Sequence, residues 1–272
     1  CHRPRWGNHV WDSPNEPPVR GAVSAGVEKT EVTSVVYRSG DEEVSTMVVV
    51  DLTHPFDTDI PMFPGLPAPD IVVYRSREEM AHAYAEGTSF VIHRYCFVGN
   101  AGTYLDSPYH RYPDGSDLAS LPLERVADLP GIVIDVRWRV ARGNLGIGPE
   151  SFAGIDLSGK AVLVCTGWDR LWGSERYLAA NPYLTEEAAA LLAERGAALV
   201  GIDSWNIDDV ADRRRPVHSI LLRAGIPLVE NLTGLVQLIG RRFRFHAAPI
   251  PIRAGSAVPV RAYAVLSETA AG

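Results

Sequence analysis

Asp106 and His110 stand four residues apart in NAGTYLDSPYH, residues 100–110, a carboxylate and an imidazole with a proline between them. Either group can bind a transition metal or move a proton. Pro108 rules out a regular helix through the pair, so a rigid loop must present them. Gly102 lets the backbone turn there or come close to a ligand. A carboxylate two residues before a proline is also ordinary turn chemistry. The stretch therefore takes its meaning from its company. His218 and Glu230 lie twelve residues apart, one expected at the start of a helix and one at the end of the strand that returns from it. Helix and returning strand are neighbours, so both side chains can reach one cleft. Two imidazoles and two carboxylates form a ligand set suited to Zn²⁺ or Mn²⁺.

Two further places draw attention because polar residues follow buried strands, where α/β proteins bind ligands. One is Trp168-Asp169 after GKAVLV, and the other is Asp203, Trp205 and Asp208 in GIDSWNIDD. A tryptophan at such a place ordinarily covers the edge of the core. Near the motifs, Phe63, Tyr104, Tyr109, Trp168 and Trp205 favour a flat or apolar small molecule.

The elements that must position these groups can be read in order. MVVVDL opens the first clear strand at Met47, and the segment before it holds a hairpin expected around Ser39-Gly40. A proline-rich loop, THPFDTDIPMFPGLPAPD, must then lie on the surface or line a cleft. IVVYRSREE and SFVIHRYCFVG read as strands, with a short helix or turn between them. SLPLERV reads as a short helix. LPGIVIDVRW, GKAVLVCTG, AALVGID and IPLVEN read as buried strands. TEEAAALLAERG is a helix with Thr185 as its cap, glutamates in its first turn and Gly196 as its stop. VHSILLRAG is a second helix, TGLVQLIG a short third, and RFRFHAAPIPI and VPVRAYAVL are the last two strands. Residues 1–46 lack sustained apolar periodicity and an apolar signal core, and they are expected to form a peripheral extension. One domain is expected over 47–272, with a natural start near Met47.

Composition narrows the function. At 272 residues, 46% hydrophobic and 22% charged, the chain has the make-up of a globular protein with a sizeable core. A net charge of −7 excludes nucleic acid as the partner, since phosphate binding needs a basic surface. No apolar run approaches the roughly 20 residues that span a bilayer. Cys1, Cys96 and Cys165 are too far apart for a disulfide framework or a zinc-finger pattern. A soluble cytoplasmic protein acting on a small molecule is expected.

The order of motifs resembles the cyclase family, which includes the bacterial metal-dependent kynurenine formamidases and isatin hydrolases. VDLTHPFDTDIPMFPGLP, GTYLDSPYH, TGW, EEAAALLAERGAALVGID and then His218 and Glu230-Asn-Leu run in the family's order from Met47 to the C-terminus. The resemblance implies an α/β fold of the swivelling β/β/α type in a single domain. It also implies a homo-oligomer, dimer or tetramer, and hydrolysis of an amide, formamide or lactam bond in a small aromatic or cyclic substrate. Carried over by position, Asp106 and His110 match metal-ligand or acid/base positions within the family motif H-x-G-T-H-x-D-x-P-x-H. His218 and Glu230 match such positions further along the chain.

Two positions depart from that motif. Asn100 and Tyr104 stand where the family has ligand histidines. Asn offers only a carbonyl oxygen, and Tyr ligates only as a phenolate, with an unperturbed pKa of about 10. Three courses stay open. A zinc or manganese ion is held by the remaining four residues, with help from His93 or His54, and activates water. Alternatively the metal is lost, and His110, His218 and Tyr104 do acid/base work suited to a cyclase or lyase. The third course is a cleft that binds a small molecule without catalysis. In each, Phe63, Trp168, Trp205 and Asn100 are the expected substrate contacts.

Overall fold

The computed structural model describes residues 32–37 and 45–267. The strands are β1 (Val32–Tyr37), β2 (Ser45–Asp51), β3 (Asp70–Arg75), β4 (Ile92–Cys96), β5 (Tyr104–Asp106), β6 (Leu129–Asp135), β7 (Gly146–Ile147), β8 (Ala161–Cys165), β9 (Tyr183–Leu184), β10 (Leu199–Ile202), β11 (Leu228–Glu230), β12 (Phe243–His246), β13 (Ala257–Pro259) and β14 (Tyr263–Ser267). The helices are α1 (Arg77–Ala81), α2 (Arg137–Val140), α3 (Glu186–Glu194) and α4 (Pro216–Arg223).

Ten strands form one sheet in the order β1-β2-β14-β12-β6-β8-β10-β11-β5-β13. Its centre, β6-β8-β10-β11, is parallel. The flanks are antiparallel. In β8, Ala161, Leu163 and Cys165 point into one core and Val162 and Val164 into the other. Both faces of this strand are therefore covered, which is why it reads as an unbroken apolar run. The second core lies under α3 and α4, through Leu192, Leu221 and Leu222. The first gathers Val48 and Val50 from one end of the strand order and Leu105 and Val258 from the other. The sheet thus curls until its two ends meet around that core. A bridge between Thr53 and Leu232, and Thr233 N donating to Leu52 O at 3.0 Å, tie the β2 end to the chain that leaves β11. The fold is the mixed α/β single domain that the sequence leads one to expect.

Local chemistry explains the helix ends. Thr185 caps α3 by accepting from Ala188 N, and Gly196 leaves it at φ +69°. That left-handed conformation suits glycine. Strand boundaries differ from expectation in several places: LPGIVIDVRW leaves the strand at Asp135 and enters α2 at Arg137, and IVVYRSREE leaves it at Arg75 and enters α1 at Arg77. RFRFHAAPIPI is a strand only over Phe243–His246, since Pro249 and Pro251 have no N–H to extend a ladder. VPVRAYAVL breaks after Pro259, so that β13 pairs with β5 while β14 pairs with β2 and β12. The expected domain boundary between residues 46 and 47 falls inside β2. β1, also within the expected extension, pairs with β2 in the expected hairpin, from Val32 opposite Val50 to Tyr37 opposite Ser45. The turn expected at Ser39-Gly40 and the other residues of 1–46 lie outside the described residues. β3 and β4 stand apart as a two-stranded arm.

Candidate functional site

β5 and β11 run antiparallel with Tyr104 opposite Glu230 and Asp106 opposite Leu228. Side chains alternate along a strand, so Leu105 and Val229 enter the first core while Tyr104, Asp106 and Glu230 share the other face. That face lies under the start of α4. The Tyr104 hydroxyl donates to Glu230 Oε2. Asn100 Nδ2 donates to Asp106 Oδ1 over 3.0 Å. After Ser107 the chain makes a single 3-10 turn, Pro108–His110, which brings His110 Nδ1 back to 3.7 Å from Asp106 Oδ1.

His218 is the third residue of α4. Its Nε2 lies 3.6 Å from Asp106 Oδ2 and 3.8 Å from Glu230 Oε1. Helix α4 has no side-chain cap of its own, for Arg215 occupies that position at φ +51°. Asp208 supplies the cap from elsewhere, accepting from Val217 N at 2.7 Å and His218 N at 3.1 Å. The same carboxylate meets His218 Nδ1 at 2.5 Å. A carboxylate on Nδ1 fixes the ring and turns Nε2 toward Asp106 and Glu230. One short loop organises the whole group. Trp205 packs its ring against Phe63 at 5.5 Å between centroids, and Asn206 Oδ1 accepts from Arg215 Nη1 at 3.1 Å. Ile207 N donates to Glu230 Oε1 at 2.6 Å, and Asp208 holds His218.

Electrostatics set the protonation states. Burial pushes the Glu230 carboxyl up, the His218 charge opposes this, and the Asp106 charge adds to it. Burial opposes a charge on His218, but the nearby Asp106 carboxylate, the hydrogen bond to Asp208 and the Glu230 charge outweigh it and raise the imidazole. Tyr104, buried and facing Glu230 and Asp106, is held far above its ordinary value and stays neutral. Asp106 is fully buried, and its Oδ2 has no hydrogen-bond partner among the described residues. Donor atoms of Asp106, His110 and His218 all lie within 4.8 Å of one another. A divalent cation would satisfy this oxygen and take the place of the proton that the surrounding carboxylates otherwise hold on His218.

The structure brings together six of the residues read from the sequence: Asn100, Tyr104, Asp106, His110, His218 and Glu230. Phe63 and Trp205 pair at the edge of the organising loop, and Arg215 lies 5.7 Å above the Phe63 ring. No hydrogen bond or ring contact among the described residues joins Trp168 to the cluster. Its indole donates instead to Tyr177 O at 3.0 Å. His93 stands exposed on the β3–β4 arm beside Tyr95, outside the cluster. His54 is buried and stacked on Trp172, with ring centroids 3.9 Å apart. Sequence reasoning missed Asn206, Arg215 and the role of Asp208. One signal was present, because a helix entered through Arg-Pro, without Ser, Thr, Asp or Asn at the cap, must find its cap elsewhere.

Comparison with known proteins is consistent with this geometry. The Cyclase family model matches residues 50–209. A kynurenine formamidase of Bacillus mycoides (strain KBAB4) is 26% identical over 214 residues, 78% of this chain and 95% of that protein. Isatin hydrolase A from Labrenzia aggregata, solved with benzyl benzoate, superposes with a TM-score of 0.71 at 25% identity, over 82% of this chain and 94% of that one. A solved structure described as a potential metal-dependent hydrolase with cyclase activity has a TM-score of 0.66 at 24% identity, over 82% of this chain and 99% of its own.

Proposed function

The chain belongs to the Cyclase family, and from that premise we propose that it hydrolyses a formamide or lactam C–N bond in a small aromatic substrate. The observation that carries the reading is the unpartnered Asp106 Oδ2, buried among His110, His218 and Glu230. Asp106, His110 and His218 would hold a divalent ion, zinc or manganese. Glu230, expected from the sequence as a fourth ligand, already has a donor on each oxygen, Ile207 N on Oε1 and Tyr104 on Oε2. Such an ion, when bound, polarises a carbonyl and makes water a better nucleophile.

The chain's own residues do the rest. Asp208 locks the His218 ring and Asn100 locks the Asp106 carboxylate. Tyr104, always protonated, holds Glu230 Oε2 and leaves Oε1 on the side of His218. Glu230, whose carboxyl is pushed toward neutral pH, is the proton carrier. It takes a proton from the attacking water at Oε1 and hands it to the nitrogen as the C–N bond breaks. Phe63 and Trp205 offer an aromatic wall for the substrate ring.

A second reading is favoured by Asn100 and Tyr104, whose hydrogens occupy one oxygen of each carboxylate. In it, the same groups run a metal-independent cyclisation or elimination. The two separate on one assay, turnover of an aryl formamide before and after removal of metal by a chelator. Loss with the metal and return on adding Zn²⁺ or Mn²⁺ supports the hydrolase. Full activity in the stripped protein supports the second reading.

The same proposal includes assembly with a second copy through the β3–β4 arm. A two-stranded sheet is marginal by itself, and Val73, Tyr74, Phe90, Ile92 and Tyr95 stand exposed along or beside it. Among the described residues, no helix is long and apolar enough to cross a membrane.

A further inference from the structure

We propose that Arg215 selects substrates that carry a carboxylate on the aromatic ring, next to the bond that is cleaved. This inference rests on the hydrolase reading and adds the substrate's charge to it.

Arg215 has the placement of a recognition residue. Its side chain is half-buried, donates to Asn206 Oδ1 and lies above the Phe63 ring, which in turn packs on Trp205. No carboxylate lies within ion-pair distance of it among the described residues. Asp212 feels its charge, but the oxygens of that carboxylate are already taken by Arg214, at 2.7 Å for Oδ2. A half-buried guanidinium without a counter-ion is an unusual thing to keep in a folded chain. Its backbone is costly as well, since φ +51° and ψ +58° lie in the left-handed region that a residue with a side chain seldom adopts.

Position completes the argument. Asn206 Oδ1 accepts from both Arg215 Nη1 and Asp208 N, and Asp208 holds His218. Arg215 is therefore wired by three hydrogen bonds, through Asn206 and Asp208, to the imidazole at the centre of the site. The groups around it are an aromatic wall, a planar cation with free N–H donors and, next door, the reacting cluster. A planar aromatic ring bearing a carboxylate matches all three, because a guanidinium binds carboxylate through parallel N–H donors. Three carboxyl groups, Asp106, Asp208 and Glu230, are buried in the site beside the one buried imidazole of His218. A substrate anion needs a cation there to offset that field.

The test uses two fluorescent ligands of nearly one shape, 2-aminobenzoate and its neutral counterpart 2-aminobenzamide. Binding is read by fluorescence titration of wild type, Arg215→Met, Arg215→Gly and Arg215→Lys. Met keeps an apolar stem over Phe63, and Gly accepts the left-handed backbone without strain, so one of the two retains the fold even where the other does not. Wild type is expected to prefer the carboxylate. Arg215→Met and Arg215→Gly should weaken 2-aminobenzoate by about tenfold to a hundredfold, the range for hydrogen bonds to a charged group, and leave 2-aminobenzamide unchanged. Lys should restore part of the loss. Equal weakening of both ligands, or an intact preference in the Met and Gly variants, would overturn the assignment. Binding is measured without turnover, so failure to hydrolyse any formamide counts against the hydrolase reading alone.

Discussion

Glu230 and Tyr104 are joined by a hydrogen bond at the buried face of β5 and β11, and the proposed chemistry rests on that pair. If Glu230 carries the proton, Glu230→Gln keeps the shape and removes the carrier, and kcat on an aryl formamide should drop by roughly 10²–10⁴. Elemental analysis of the same variant should find the metal content of wild type, whereas Asp106→Asn should lose it. Asn100 and Tyr104 give the complementary test. Replacing both with His adds two imidazoles to the Asp106 loop, and calorimetric titration should show much tighter Zn²⁺ binding than in wild type. Equal affinity in the two proteins would mean that the residues already present suffice. His54 supplies a pH effect apart from the cluster. Burial lowers its pKa to about 4, against 6.5 in the unfolded chain. The folded state thus binds fewer protons than the unfolded one. Its contribution is complete above pH 6.5 and is lost as pH falls toward 4, by roughly 2–3 kcal/mol. Urea unfolding at about pH 7 and about pH 4.5 should show a smaller acid loss for His54→Phe than for wild type.

At the scale of the element, α4 does two jobs through one carboxylate. Asp208 accepts from two N–H groups of the helix and aims His218, so under the proposed metal site stability and metal affinity would be coupled at this residue. Asp208→Asn retains an acceptor for the helix but loses the charge that holds Nδ1. Metal affinity, measured by titration against a competing chelator, should weaken by about 10–100-fold. Thermal unfolding should shift by about as much as loss of an N-cap, on the order of 1 kcal/mol. Thr185→Ala on α3 is the control for that second number, since it removes a cap of similar worth far from any ligand. A helix effect without a metal effect in Asp208→Asn would mean that Asp208 serves the fold alone.

For the whole molecule, closure of the sheet is what brings residues from distant parts of the chain together. β5 sits between β11 and β13, so Asp106, expected on a loop but found at the end of β5, is fixed by strands more than a hundred residues further on. The other end of the sheet is finished by β1, which covers the edge of β2. Removing residues 1–40 would leave that edge open. The truncated protein is expected to keep its melting profile near that of wild type but to self-associate in size-exclusion chromatography, because an uncovered strand edge pairs with other chains. Cooperative unfolding at a much lower temperature would show that β1 is needed for the fold itself.

Much of this protein was legible in the sequence because it depends on local rules. Unbroken apolar runs marked β8 and β10, the Thr185-to-Gly196 pattern marked α3, and the spacing of Asp106, His110, His218 and Glu230 pointed to one cleft. Side-chain periodicity and capping are set within a few residues, so the order of types is enough to reveal them. The two breaks in the last strands were hidden because a run of β-formers does not say which neighbour each half will pair with. Trp168 and Trp205 looked alike in sequence, and both indoles donate to backbone carbonyls, Tyr177 O and Ala180 O, but it is the Trp205 ring that meets Phe63. Asp208 as the remote cap of α4, Tyr104 as the partner of Glu230 and Arg215 as a cation without a counter-ion among the described residues are decided by tertiary structure alone. Each is a relation between side chains brought together by the curled sheet and by a loop whose path no local preference fixes.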